Sequence, residues 1–462
     1  MTIIETELPV DGHAPSNRRQ LHPITALLSK PVVYGSFVPA VSLLNALIGI
    51  LLPAMMTPTI FGEYSLVMTL FQYGLIFDAG VGQLIDRWIP PAIERGELEE
   101  ADFIGQRLLW VRWYIGIVVF AVVATALIIL ASVGQLPFHL SLGLLSAFTG
   151  ILYMIALGPG FIYRAHSAKR NYAFAVGILS IGLVVARPLG LLVGGLTGLF
   201  SALAVWYFAF TCFYSWKMPA RLSLRTPYRQ ALTLVAKGLP FFATSFIWAF
   251  YLTANRWFAS RLMDSATFGH FAFSANIYSL LIGAVGGLNA FYYPRIVGKI
   301  ASERPFALSG KIALDFSKLV LAVSTVVAVG IVLTPFLLEL IYPQYVPSTG
   351  TARILLTAVP AMVLVSWLMP ISLSAGRRPW IDGVIIYPVA TAILYLATHI
   401  LARHFGTDGI AAASIVSALL LAAMLLFQLR QTHILTSTAL AMLLGVTGAV
   451  TLGLCGLVRI LP

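Results

Sequence analysis

Residues 108–132 read LLWVRWYIGIVVFAVVATALIILAS, 25 residues in which Arg112 is the only charge. About 20 apolar residues are enough for a helix to cross a bilayer. A barrel strand instead needs about 10 residues of alternating polarity, and no alternation is present here. Inside hydrocarbon every backbone N–H and C=O must find a partner within the protein, so this stretch specifies a membrane-spanning helix. Working outward, similar runs occur at 33–56, 61–86, 137–158, 173–196, 198–216, 239–262, 268–294, 317–341, 350–374, 382–402, 408–428 and 437–459. Of 462 residues, 59% are hydrophobic and 10% charged, against about 25% charged in soluble domains. The expectation is an all-α integral membrane protein.

Loop charge sets the orientation. With the N-terminus inside, all but six of the 29 Lys and Arg fall in the tail, the inner loops or the adjoining helix ends. Arg261, Arg353, Arg403 and Arg459 fall outside, and Arg187 and Arg256 lie within spans. The net charge of +12 is therefore a topology signal, and nucleic acid is not an expected partner. Residues 1–32 read as a cytoplasmic tail without a cleavage site. Cys212 and Cys455 both sit in apolar runs, as buried small hydrophobes. Segment 217–238 sets Arg225, Arg229 and Lys237 against Tyr228, Leu232 and Val235, the pattern of an amphipathic helix on an anionic leaflet. Segment 298–316 has a similar pattern.

The two halves echo each other. Phe61-Gly62 opens the second span and Phe268-Gly269 the eighth, an offset of 207. Ser167-Ala168-Lys169-Arg170 and Ser374-Ala375-Gly376-Arg377 follow the fourth and tenth at the same offset. Gly195-x-x-Gly198 and Gly406-x-x-Gly409 enter the sixth and twelfth at an offset of 211. Six spans per copy make the repeats parallel, and transporters built that way bind substrate where the halves meet. The expected division is a tail at 1–32, a six-helix lobe at 33–216, a linker at 217–238, a second lobe at 239–430 and a thirteenth helix within 431–462.

Over about 33–430 the chain resembles the Wzx-type polysaccharide flippases of the multidrug/oligosaccharidyl-lipid/polysaccharide (MOP) exporter superfamily. The resemblance is carried by Pro58-Thr59-Ile60-Phe61-Gly62-Glu63-Tyr64-Ser65 and by Asp78-Ala79-Gly80-Val81-Gly82 with Arg87 and Arg95-Gly96-Glu97. In the second half it rests on Gly238-Leu239-Pro240, Asn255-Arg256, Phe291-Tyr292-Tyr293-Pro294, Ile341-Tyr342-Pro343-Gln344-Tyr345 and Gly406-Thr407-Asp408-Gly409-Ile410-Ala411. Many relatives carry an acid before the seventh-helix arginine, where this chain has Asn255. The resemblance implies a MATE-like V of two six-helix lobes. It also implies flipping of an undecaprenyl-pyrophosphate-linked oligosaccharide for exopolysaccharide or O-antigen synthesis, beside a polysaccharide polymerase and a chain-length regulator.

A charge at membrane depth costs several kcal/mol and tends to face a cavity or a partner. Arg256 and Arg187 are candidate cavity cations, because a planar guanidinium fork matches phosphate oxygens; Arg187 has the alternative of a structural pair with Asp78. Arg112 and Arg164, near inner helix ends, are candidates for the inner mouth. Asp78 is a candidate coupling acid or a neutralising partner. The eight histidines show no metal-ligand spacing, no cofactor motif is present, and nothing asks for catalysis. A cation-coupled multidrug exporter is the rival within the superfamily, but the first span has no charge, only Asn45. A lipid II flippase is a second rival. A polysaccharide polymerase would need a large outer loop, and the loops at 57–60, 133–136, 263–267, 342–349 and 403–407 are short.

Overall fold

The computed structural model describes residues 31–166, 168–217, 228–302, 305–375 and 379–461. Those residues are helical almost throughout. α1 covers Pro31–Leu51 and runs into a 3-10 turn at Leu52–Met55. α2 follows at Pro58–Ile76, with Pro58 in its first turn and the Thr57 hydroxyl accepting from the Ile60 amide at 3.4 Å. That is the start signal a helix needs, since its first amides lack intrahelical partners. α3 (Val81–Glu94), α4 (Leu98–Ser132), α5 (Leu140–Ala156) and α6 (Gly158–Ala165) complete the path to α7 at Lys169–Lys217. The second half runs α8 (Tyr228–Leu262), α9 (Ser265–Ser302), α10 (Pro305–Ile341) and a 3-10 turn at Pro343–Ser348. It continues through α11 (Thr349–Leu356), α12 (Val359–Ala375) and α13 (Pro379–Gln431) to α14 at Ser437–Ile460.

Two of these long helices are hairpins. α7 breaks at Gly194–Gly195 and α13 at Gly406, where φ is +58° at both Gly195 and Gly406. Residues with a Cβ rarely hold that conformation. In α7 the packing of Gly182 on Trp206 and of Gly190 on Gly198 shows the arms running antiparallel. In α13 Ser417 bonds back to the Ala390 carbonyl at 3.0 Å. The breaks lie 211 residues apart, so the repeat read from the sequence reappears as one backbone geometry used twice. Every expected span has a helical counterpart. By length and hydropathy six described helices qualify as membrane-crossing, or seven if the pair bent by 48° at 357–358 is one span. The protein is a multi-pass membrane protein.

Several expectations need correction. The second span does not continue through 86: α2 stops at Ile76, and residues 77–80 break the chain before α3. The tenth span is likewise broken into α11 and α12. Segment 217–238 is not a separate amphipathic helix, since 228–238 is the start of α8; residues 218–227, with Arg225, lie outside the described residues. Segment 298–316 is divided between α9 and α10. The tail at 1–30 lies outside the described residues. Cys212 is exposed on the helix surface, and Arg353 is buried among the helices, its Nε donating to the Ile331 carbonyl at 3.2 Å.

The repeat also explains the central contact. α2 and α9 are equivalent helices and pack against each other, with Phe61-Gly62 facing Phe268-Gly269. A methyl group added to Gly269 would lie 1.8 Å from the Pro58 carbonyl oxygen. Residues nearest a two-fold axis meet their own equivalents, so small residues there let the backbones touch.

Candidate functional site

The short-loop face of the bundle carries 57–60 and 263–267, and the basic face the opposite helix ends. Between them α2 of the first half lies against α8 and α9 of the second. Along this seam the Tyr73 hydroxyl meets the Thr253 hydroxyl at 2.6 Å and accepts from Trp257 Nε1 at 3.1 Å. Phe77 packs on Phe242 and Phe246, with ring centroids 5.5 and 5.1 Å apart.

At the short-loop end the seam is tied shut. The turn after α10 sends Tyr345 Oη to the Met56 carbonyl at 3.0 Å, Gln344 Nε2 to the Ala54 carbonyl at 3.4 Å and Tyr342 Oη to the Ile50 carbonyl. All three acceptors belong to the α1–α2 junction, whose carbonyls are left over where the helix ends. Beneath them Phe273 stacks on Tyr345 at 4.2 Å, and Phe61 sets its edge against both rings. Nothing within the Ile341–Tyr345 motif itself announces this role. A clasp made from two distant segments has no periodic signature.

Arg256 lies on α8 beside this seam and is buried. Its Nη2 donates to Ser279 Oγ at 2.9 Å and to the Ala275 carbonyl at 3.4 Å, both on α9. Its Nε has no partner, and no carboxylate pairs with it among the described residues. Tyr73 and Tyr64 of α2 lie within electrostatic range of the guanidinium, which places the cation between the halves. The neighbouring Asn255 faces the other way, toward a small enclosed space with Tyr251, Tyr278 and Ser414.

The other candidates fall into separate places. Arg112 is fully buried on α4, and its Nη2 lies 3.5 Å from Asp78 Oδ2. Asp78 sits in the break between α2 and α3, where its carboxylate also accepts from the Gly80 amide at 2.9 Å and the Gly82 amide at 3.0 Å. It caps α3 and neutralises Arg112, not Arg187. Phe161 of α6 carries the Arg112 guanidinium at 4.8 Å and the Arg164 guanidinium at 4.9 Å from its centroid; Arg164 is exposed at the basic face. Arg187 is buried within the first half, its Nη2 donating to Asn45 Oδ1 and its Nε to the Leu183 carbonyl at 2.7 Å. The structure therefore brings Arg112, Asp78 and Arg164 together, leaves Arg256 at the seam and sets Arg187 in a third location. Among the described residues no group of three or more His, Cys, Asp or Glu is placed to hold a metal ion.

No protein-family model and no curated protein matches the sequence. The fold does match solved structures. One is the inward-facing conformation of a multidrug resistance MATE family transporter of the MOP superfamily, at 17% identity and TM-score 0.65 over 85% of this chain and 94% of that one. Another is the lipid II flippase MurJ in an inward closed conformation, at 12% identity and TM-score 0.65 over 92% and 98%. An outward-facing MATE family transporter of the MOP superfamily matches at 16% identity and TM-score 0.54 over 87% and 94%. The chain thus has the two-lobed architecture of the MATE and MurJ transporters.

Proposed function

We propose that this chain is a flippase which carries a polyprenyl-pyrophosphate-linked oligosaccharide across the membrane by alternating access of its two halves. The observation that carries the reading is Arg256: a buried guanidinium at the seam, with neutral partners, an unpartnered Nε and no acid among the described residues. An uncompensated buried cation is costly. It is retained where an anion shares the site for part of the cycle, and the fork suits phosphate oxygens. Arg164 at the basic face provides a first contact for the same head group. In this orientation the basic face is cytoplasmic and the short-loop face is the exit side, as the loop charges imply. Supply of the repeat unit for a surface polysaccharide, with a polymerase and chain-length regulator downstream, comes from the sequence resemblance. A cationic drug would call for a carboxylate in the first half, and the first span, 33–56, carries no charge.

In a polysaccharide export assay, Arg256→Ala should reduce export about 100-fold or more, the loss expected for a desolvated charge contact. Arg256→Lys should restore part of it, since a point charge remains without the fork. Normal export by the alanine variant at normal abundance would refute the reading. Reconstituted vesicles offered lipid II or another pyrophosphate-linked lipid separate this reading from a lipid II flippase. Alternating access has its own test. Cysteines replacing Thr59 and Ser265, which border one cleft of about 530 Å³ at the short-loop face, should block export when joined by a cleavable linker and release it on cleavage.

A further inference from the structure

A cleft of about 480 Å³ opens at the short-loop face between two turns of the second half. One wall is the α8–α9 junction, with Asp264 and Thr267; the other is the end of the first arm of α13 and its break, with His399, Arg403 and Phe405. Both walls stand where membrane spans end, so the cleft lies at head-group depth. Asp264 and Arg403 are exposed, carry opposite charges and form no ion pair with each other. Asp264 Oδ1 accepts from the Ala266 and Thr267 amides at 3.0 and 3.1 Å, which holds the carboxylate in place and ionised. Arg403 Nη2 donates to His399 Nε2 at 2.7 Å. A guanidinium has no acceptor, so His399 accepts there and is neutral, and the other Arg403 N–H groups are left for a ligand. Leu396, Ile400 and Arg403 follow one another at helical spacing, with Leu396 and Ile400 58 and 59% exposed. An apolar stripe turned outward thus ends in a guanidinium at the mouth of the cleft.

We propose that this cleft binds the head group of a zwitterionic phospholipid with a primary ammonium, in the leaflet at the short-loop face. Arg403 takes the phosphate through its planar fork. Asp264, on the opposite wall, accepts from the ammonium N–H groups. An acyl chain then runs along Ile400 and Leu396 into the bilayer. The cleft presents one charge of each sign, and so does that head group. A phosphate lipid without an amine leaves Asp264 beside an uncompensated anion, and a quaternary ammonium has no N–H to give the carboxylate. Snorkelling toward any phosphate accounts for an arginine at this depth but not for the carboxylate across the cleft from it. The site is separate from Arg256 and the flippase reading, and either can fail alone.

The test is thermal unfolding of the purified full-length protein in detergent, titrated with phosphatidylethanolamine, phosphatidylcholine or phosphatidylglycerol of identical acyl chains. Phosphatidylethanolamine should raise the midpoint saturably, by about 3 °C more than either of the others. Arg403→Gln and Asp264→Asn should each bring that response down to the phosphatidylcholine level. Both positions are exposed, so the lipid-free midpoint should stay within about 1 °C of the parent and show that the variants fold. Arg261→Gln, an exposed cation of the same face that does not line the cleft, should keep the full response. Equal midpoints in the three lipids, a phosphatidylethanolamine response that survives Arg403→Gln or Asp264→Asn, or its equal loss in Arg261→Gln would each overturn the proposal.

Discussion

Arg112 and Arg256 are the same residue type, buried to the same degree, at 1% and 7% exposure, yet they sit in opposite electrostatic settings. Around Arg112 the chain has placed a carboxylate that is itself held by two amides and an aromatic ring beneath the guanidinium. Around Arg256 it has placed a serine, a carbonyl and two tyrosines. The first arrangement has its charge balanced by Asp78, although Arg112 Nε and Nη1 have no hydrogen-bond partner, and it joins α3, α4 and α6 at the break after α2. The second has an unpartnered Nε and no carboxylate partner among the described residues, at the seam between the halves. Burial is common to both arginines; the counter-charge is what separates them.

That contrast is sharpest if the two sites are given the same substitution. Arg256→Met should abolish export while leaving the unfolding midpoint equal or higher, because a costly buried charge is replaced by a flexible apolar side chain. Arg112→Met should lower the midpoint instead, since Asp78 then loses its counter-charge. If Arg112→Met is stable and inactive, the distinction collapses. Asp78→Ala should be the largest stability loss, about 3–5 kcal/mol for a broken buried pair, with the α3 cap lost as well. A double variant, Asp78→Asn with Arg112→Met, should lose less than Asp78→Ala alone, as measured by a thermal or denaturant cycle.

Smaller effects probe the seam and its rim. Tyr345→Phe removes the bond to the Met56 carbonyl and should cost about 1 kcal/mol. It should also increase thiol labelling of a cysteine placed at Met56, which is buried in the closed seam; unchanged labelling would mean the clasp does not hold this face shut. Asp264, between α8 and α9, is held below the usual carboxylate range by the Thr267 hydroxyl and then by the Thr267 and Ala266 amides. Its lowered folded-state pKa means that its stabilisation is present above the unfolded value and lost as pH falls through the folded one. Asp264→Asn should therefore flatten a slight acid-side decline in the midpoint and leave neutral pH nearly unchanged, a small effect at a fully exposed site.

The all-helical membrane fold and the two-fold repeat were legible from residues 33–459, because apolar length and a 207–211 offset are properties of the chain itself; the breaks inside the second and tenth runs were not. Even the two hairpin breaks lie at glycines that the offset had singled out. Tertiary structure alone decided which charge belongs to which partner. Asp78 was available to Arg187 or to Arg112, and the break at 77–80 turned it toward Arg112. The clasp of Tyr342, Gln344 and Tyr345 on carbonyls nearly 300 positions earlier has no local pattern, since any carbonyl can accept and only the packing of α2 on α9 selects which. Lipid solvation writes itself into the sequence residue by residue; pairing inside the bundle depends on which helix faces meet, and that is set only when the chain has folded.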